Sequence, residues 1–184
     1  MANNDVKNVA VGKPKIGGSV AIAATNATLP TDSTTALDAA FENLGYCSED
    51  GLTQEISRES EDIKAWGGDT VLVAQTDYSE TYHVTLIETL RLDVKKAVFG
   101  DANVTGALST GITTLGNSKD LPEKAWVFDM IQNGATVRKV LPNARVTEID
   151  EISYTDSEAV GYGLTIRALP DATGNCSYEY AMRA

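Results

Sequence analysis

The sequence predicts a mainly β fold, an antiparallel β-sandwich or barrel with one flanking α-helix. Three observations carry this. Val160, Tyr162, Leu164, Ile166 and Ala168 occupy every second position, with Gly161, Gly163, Thr165 and Arg167 between them, which is the period of a strand with one buried face. Tyr82, Val84 and Leu86 alternate with His83, Thr85 and Ile87 in the same way. A sustained helical pattern is confined to residues 90–99, where Leu90, Val94, Ala97 and Val98 share a face and Gly100 follows the end. The chain of 184 residues is expected to form a single domain over 1–184, large enough to bury roughly 70% of its unfolded surface without disulfides or a structural metal.

Residues 1–12 are polar and lack sustained periodicity, an N-terminal arm that is loose or ordered by a neighbour. A first strand is expected at residues 15–23. Residues 24–35 form a loop of small residues, after which Thr34 or Thr35 caps a short helix carrying Leu37, Ala40, Phe41 and Leu44 and ending at Gly45. Residues 48–80 then form a long loop or hairpin excursion, acidic and interrupted, with short strands near 52–58, 63–66 and 70–74. An excursion of that length in a compact domain tends to be functional or mobile. It is the first place to look for a partner surface.

After the strand at 82–87, Thr89 serves as N-cap of the helix, and Lys95 and Lys96 suit the negative end of its dipole. The remainder reads as β. Strands at 126–131 and 135–141 flank a turn at 132–134, and Pro142-Asn143 breaks the run before a strand at 144–153. A turn at 155–158 leads to a strand at 159–169, and a last strand at 176–182 sets Tyr178 and Tyr180 on one face. No solenoid repeat, low-complexity tract or dividing linker is present in the sequence.

Composition excludes several functions. Fifteen Lys and Arg against 26 Asp and Glu give a formal charge of -11, which disfavours a surface that grips phosphate backbones or anionic lipid. One His and two Cys are too few for the common zinc sets. No cofactor is implied. GKPKIGGS at residues 12–19 has the outline of a P-loop, but Gly18 stands where the Lys should be. His83 sits mid-strand with no nucleophile or carboxylate close in sequence, a packed or solvent-facing strand histidine before a catalytic one. No nucleophile elbow is present, so no catalytic residue is assigned and the chain is not read as an enzyme.

The first twenty residues hold no signal-peptide core and no membrane span, so synthesis in the cytosol is expected and membrane insertion is not. In that reducing setting Cys47 and Cys176 read as buried thiols ahead of a disulfide or a metal pair. Glu59, Glu61 and Asp62, with Glu49 and Asp50, match no known calcium loop and read as a solvated charged face, with a hard cation or a neighbouring copy as the other readings. Trp66 is either a core or an interface anchor.

Three stretches, NLGYCSEDGLT (residues 43–53), EDIKAWGGDTV (61–71) and PNARVTEIDEISYTDSEAVGYGLTIRALPD (142–171), with TLIETLRLDVKKAVFGDANVTG (85–106) beside them, together resemble the major tail tube protein of long non-contractile-tailed, siphovirus-type bacteriophages. The resemblance implies the fold shared by phage tail tubes and type VI secretion tubes. It implies hexameric rings whose inner strands merge into one barrel, stacked into a virion tail tube that conducts DNA into the host after assembly in the bacterial cytoplasm. The partners it implies are further copies of the chain, the tape measure protein, the tail tip and tail terminator proteins, and double-stranded DNA in transit without specific binding. The immunoglobulin-like C-terminal domain of some relatives is expected to be absent. A type VI secretion-like ring, and a β module such as a head decoration or carbohydrate-binding protein, are the competing readings.

Within that expectation Glu59, Asp62, Lys64 and Trp66 are the candidates for contact between stacked rings. Glu148, Asp150 and Glu151 are the candidates for acidic residues facing the lumen, because they interrupt otherwise regular β alternation.

Overall fold

The computed structural model describes residues 4–183, and among these the chain is mainly β with one α-helix. The first three residues of the expected N-terminal arm lie outside the described residues. Within the rest of the arm a short 3-10 turn, Val6–Asn8, is started by the Asp5 carboxylate, which accepts the Lys7 amide at 2.9 Å. Asn133 Nδ2 and Arg183 Nη2 both donate to the Lys7 carbonyl, at 2.8 and 2.7 Å, so this segment is tied to the body.

One antiparallel sheet organises the chain. Its order from one edge to the other is β3 (Glu42–Asn43), β2 (Val20–Ala24), β8 (Lys124–Gln132), β9 (Ala135–Ile149), β10 (Tyr162–Leu169), β5 (Thr70–Leu86) and β4 (Cys47–Lys64). Two further strands complete it, β1 (Gly12–Pro14) on β8 and β11 (Tyr178–Arg183) on β9. A separate two-stranded ribbon pairs β6 (Val104–Ala107) with β7 (Gly111–Thr114) beside the helix α1 (Leu92–Phe99).

The alternation read from sequence sets which face is dry. Tyr82, Val84 and Leu86 of β5 stand opposite Ile166, Leu164 and Tyr162 of β10, and all six are buried with Val146, Ala144, Trp126 and Phe128. Val94 and Val98 of α1 close this face, and Phe99 meets Tyr162 edge-on at 5.5 Å between ring centres. Burying side chains of this size contributes roughly 1.5–3 kcal/mol each.

The opposite face of β8 and β9 is covered by the loop after β2. Arg138 and Asp129, cross-strand neighbours, form a buried two-pronged ion pair at 2.6 and 2.8 Å. Arg138 Nη1 also donates to the carbonyls of Asp32 and Thr35, at 3.0 and 2.8 Å. The charge pair thus pins residues 32–35 to the sheet, and the Asp129 bonds hold the guanidinium above its ordinary pKa.

Several expectations are corrected. Of the strand expected at 15–23 only residues 20–23 lie in a strand, β2, and β1 at Gly12–Pro14 is a separate short strand before it. The short helix with Leu37, Ala40, Phe41 and Leu44 does not form. The Asp32 carboxylate does accept the amides of Thr34 and Thr35, yet Arg138 takes the Thr35 carbonyl that a first helical turn would use, and Glu42 and Asn43 pair with β2 instead. The helix α1 begins at Leu92 after Arg91, which makes no side-chain cap bond, rather than after Thr89, and Leu90 is exposed. Pro142-Asn143 does not end its strand. Trp126 pairs with Leu141 and Lys124 with Ala144, so the proline falls in a bulge where no ladder donor is required. The turn before it is as expected, with Asn133 and Gly134 both at positive φ. The β6–β7 ribbon was not expected at all.

Candidate assembly interface

The three short strands expected across residues 52–74 are in fact parts of two long ones. β4 and β5 form a hairpin of 18 and 17 residues, and β10 supports β5 only at residues 81–86. Beyond Glu80 the hairpin is unsupported on either edge, and its residues are exposed or at most half-buried on both faces. Ten further residues of extended chain project about 35 Å.

The root of this arm is held by a buried carboxylate. Glu80 is 2% exposed, and its Oε1 accepts from Gln54 Nε2 and Ser177 Oγ, both at 2.6 Å, and from Tyr82 Oη. Tyr78 Oη donates to Oε2 at 3.1 Å. Burial alone would raise the Glu80 pKa, but the hydroxyls of Ser177, Tyr82 and Tyr78 outweigh it and hold the group below its ordinary range. Burial and the bond to Glu80 push the Tyr82 phenol far up. Four donors from β4, β5 and the segment before β11 thus converge on one anion. Sequence reasoning missed this cluster, although Glu80 stands in register with Tyr82, Val84 and Leu86 and is therefore the one acidic member of the buried face.

The tip is closed by Ala65 and Asp69, whose amide and carbonyl meet at 2.8 Å, with the Gly68 amide donating to the Ala65 carbonyl. Trp66 stands there fully in solvent, at 107% relative exposure. Ile63, Val71, Leu72 and Val73 are each at least half exposed around it. Leu72 faces Ile63 across the ladder while Val73 faces Asp62, so apolar side chains emerge on both faces of the ribbon.

Of the candidates for ring-to-ring contact, Asp62, Lys64 and Trp66 gather at this tip, with Thr70 Oγ1 donating to Asp62 at 3.4 Å. Glu59 lies further down the arm, opposite Asp77, a like-charged pairing that destabilises an isolated ribbon.

The lumen candidates lie elsewhere. Glu148 is exposed on the face opposite the core and heads a row that runs through Thr165 and His83 to Thr53 across four strands. Asp150 follows the end of β9, and its Oδ2 lies 2.8 Å from His83 Nε2. That position exists because residue 163 is glycine, since a Cβ there would meet Asp150 Oδ2 at 2.1 Å. Glu151 is exposed in the loop that follows. The next row of this face carries Arg145 opposite Arg167, with Arg145 paired to Glu123 at 3.0 Å. The face is polar and mixed in charge, and of the three candidates Asp150 has a basic neighbour.

Among the described residues no cluster of His, Cys, Asp and Glu could hold a metal ion, and no helix is long and apolar enough to cross a membrane. Both thiols are free and half-buried.

A family model described as phage tail tube protein matches residues 1–184. Among solved structures the chain is similar to a component of the virion of a native gene transfer agent particle, at 12% identity, with 91% of this chain and 98% of that one covered and a TM-score of 0.43. No curated protein matches.

Proposed function

The chain belongs to the phage tail tube protein family, a family of structural virion proteins and not of enzymes, and from that premise we propose that it assembles into stacked hexameric rings enclosing a channel for DNA. The observation that carries this reading is the β4–β5 arm. A free ribbon about 35 Å long, apolar on both faces at its tip and open on both edges, is a liability in a lone molecule and an interface in an assembly.

The two ends of the sheet are unlike, a long β4 edge and a short β3 edge. Such a head-to-tail pairing closes into a ring when its rotation allows. We assign Glu59, Asp62, Lys64 and Trp66 to the contact between rings. Glu148, Asp150 and Glu151 are assigned to the channel side, on the face of β9, β10 and β5 that also carries Thr165 and His83. A net charge of -11 per chain, multiplied around a ring, favours sliding of a polyanion over binding. The tape measure, tip and terminator proteins are the further partners of this reading.

Negative-stain electron microscopy of the purified protein across a concentration series tests it. Hollow tubes with six-fold end views are expected, and persistent monomers at every concentration would overturn it. Charge reversal in the variants D62K and K64E, one at a time, is expected to impair tube growth. Normal growth in both would remove the arm from the ring-to-ring contact.

A further inference from the structure

The arm has a knob, and the other end of the sheet has a hole. A groove of about 190 Å³ opens between the loop after β2 and the sheet, lined by Leu37, Phe41, Asn43, Val127 and Asp129 and by residues 18–21. A cavity of 150 Å³ suffices to hold one benzene ring, whereas pockets for small-molecule ligands start near 300 Å³. The groove is therefore sized for a single large side chain.

We propose that the groove receives Trp66 of a second copy of this chain. This deepens the stacking reading and rests on it. Three features argue for that occupant. Trp66 contacts nothing in its own chain, being fully exposed at the tip. Arm and groove stand at opposite ends of the strand order, β4 and β5 at one and β2 and β3 at the other, so knob and hole form a heterologous contact that propagates from copy to copy.

The groove also matches the chemistry of an indole. Leu37 and Phe41 are half-buried and offer apolar walls. Asp129 at its floor spends its carboxylate on Arg138 and Lys15 in three bonds and retains a lone pair for an indole N–H, since a carboxylate offers about four acceptor sites. Arg138 completes the device, because its bonds to the Asp32 and Thr35 carbonyls hold the groove-forming loop in place.

The test uses the full chain and three variants. W66A removes the knob and keeps the groove; L37E and F41D each spoil the groove and keep the knob. Each alone is expected to lose at least tenfold in assembly by sedimentation, while keeping the thermal unfolding of the wild-type subunit. Mixing W66A with L37E leaves one productive contact per pair, so a species of twice the mass of either alone is expected, with no further growth. Assembly of the wild type should also protect Trp66 from acrylamide several-fold, Trp126 being buried throughout.

Normal assembly of folded L37E and F41D would overturn the groove while leaving the arm as the stacking contact. Normal assembly of W66A, D62K and K64E together would overturn both. Unchanged acrylamide quenching on assembly would also overturn the proposal.

Discussion

Replacing Glu80 by Gln isolates the charge at the root of the arm. The substitution keeps the shape and one of the two acceptor oxygens. Four donors, Gln54, Ser177, Tyr78 and Tyr82, meet a carboxylate in the native protein. Hydrogen bonds to a charged partner contribute about 1.5–3 kcal/mol against 0.5–1.5 for neutral ones, so the four lose about 1 kcal/mol each. Relief from burying a charge offsets part of this, and the Tyr78 hydroxyl can turn to accept from the new amide. A net loss of about 2–3 kcal/mol at pH 7 is expected, or roughly 5–10 °C in Tm for a chain of this size.

The pH dependence has a definite sign. Glu80 in the folded chain lies below its ordinary value of 4.5, so its contribution is complete above that value and fades as pH falls through the folded pKa. The gap between wild type and E80Q should therefore narrow on acidification. Urea unfolding of the unassembled subunit at pH 7 and at stepwise lower pH measures both quantities. A difference below 0.5 kcal/mol at pH 7, or a gap that widens in acid, would refute the assignment of Glu80 as an ionised anchor.

Two further expectations concern the body of the subunit. R138M leaves Asp129 buried with only Lys15 at 3.3 Å and strips the Asp32 and Thr35 carbonyls of their donor. A loss of about 3–5 kcal/mol is expected in urea unfolding, and the double variant R138M/D129L should recover much of it; no recovery would mean the loop contacts, not the charge pair, carry the effect. Burial pushes both thiols up, with the Ser19 contact opposing and Glu88 adding at Cys47, and Glu80 and Asp171 adding at Cys176. Alkylation at pH 8 should be slower than for free cysteine at both positions and reach the free rate in urea, and native rates equal to free cysteine would contradict this.

The amino-acid order by itself determined the β class, the dry face and the turns. Alternation at residues 82–87 and 160–168 survives folding because a strand side chain has only two directions available, so one buried position dictates its neighbours. The Asn133-Gly134 turn and the end of α1 at Gly100 were legible for the same local reason, since both need backbone angles that few residues adopt.

What tertiary structure decided is of another kind. The fragments at residues 52–74 become one arm because β4 and β5 pair along their whole length, and cross-strand pairing is invisible to a local pattern. Leu37 and Phe41 make a groove wall rather than a helix face because Arg138, about a hundred residues away, claims the carbonyls of Asp32 and Thr35. His83 acquires Asp150, and Glu80 acquires Ser177, by the same long reach. Local stereochemistry writes faces and turns into the chain. Which distant polar groups satisfy one another depends on strand register and burial, and these exist only once the whole sheet has formed.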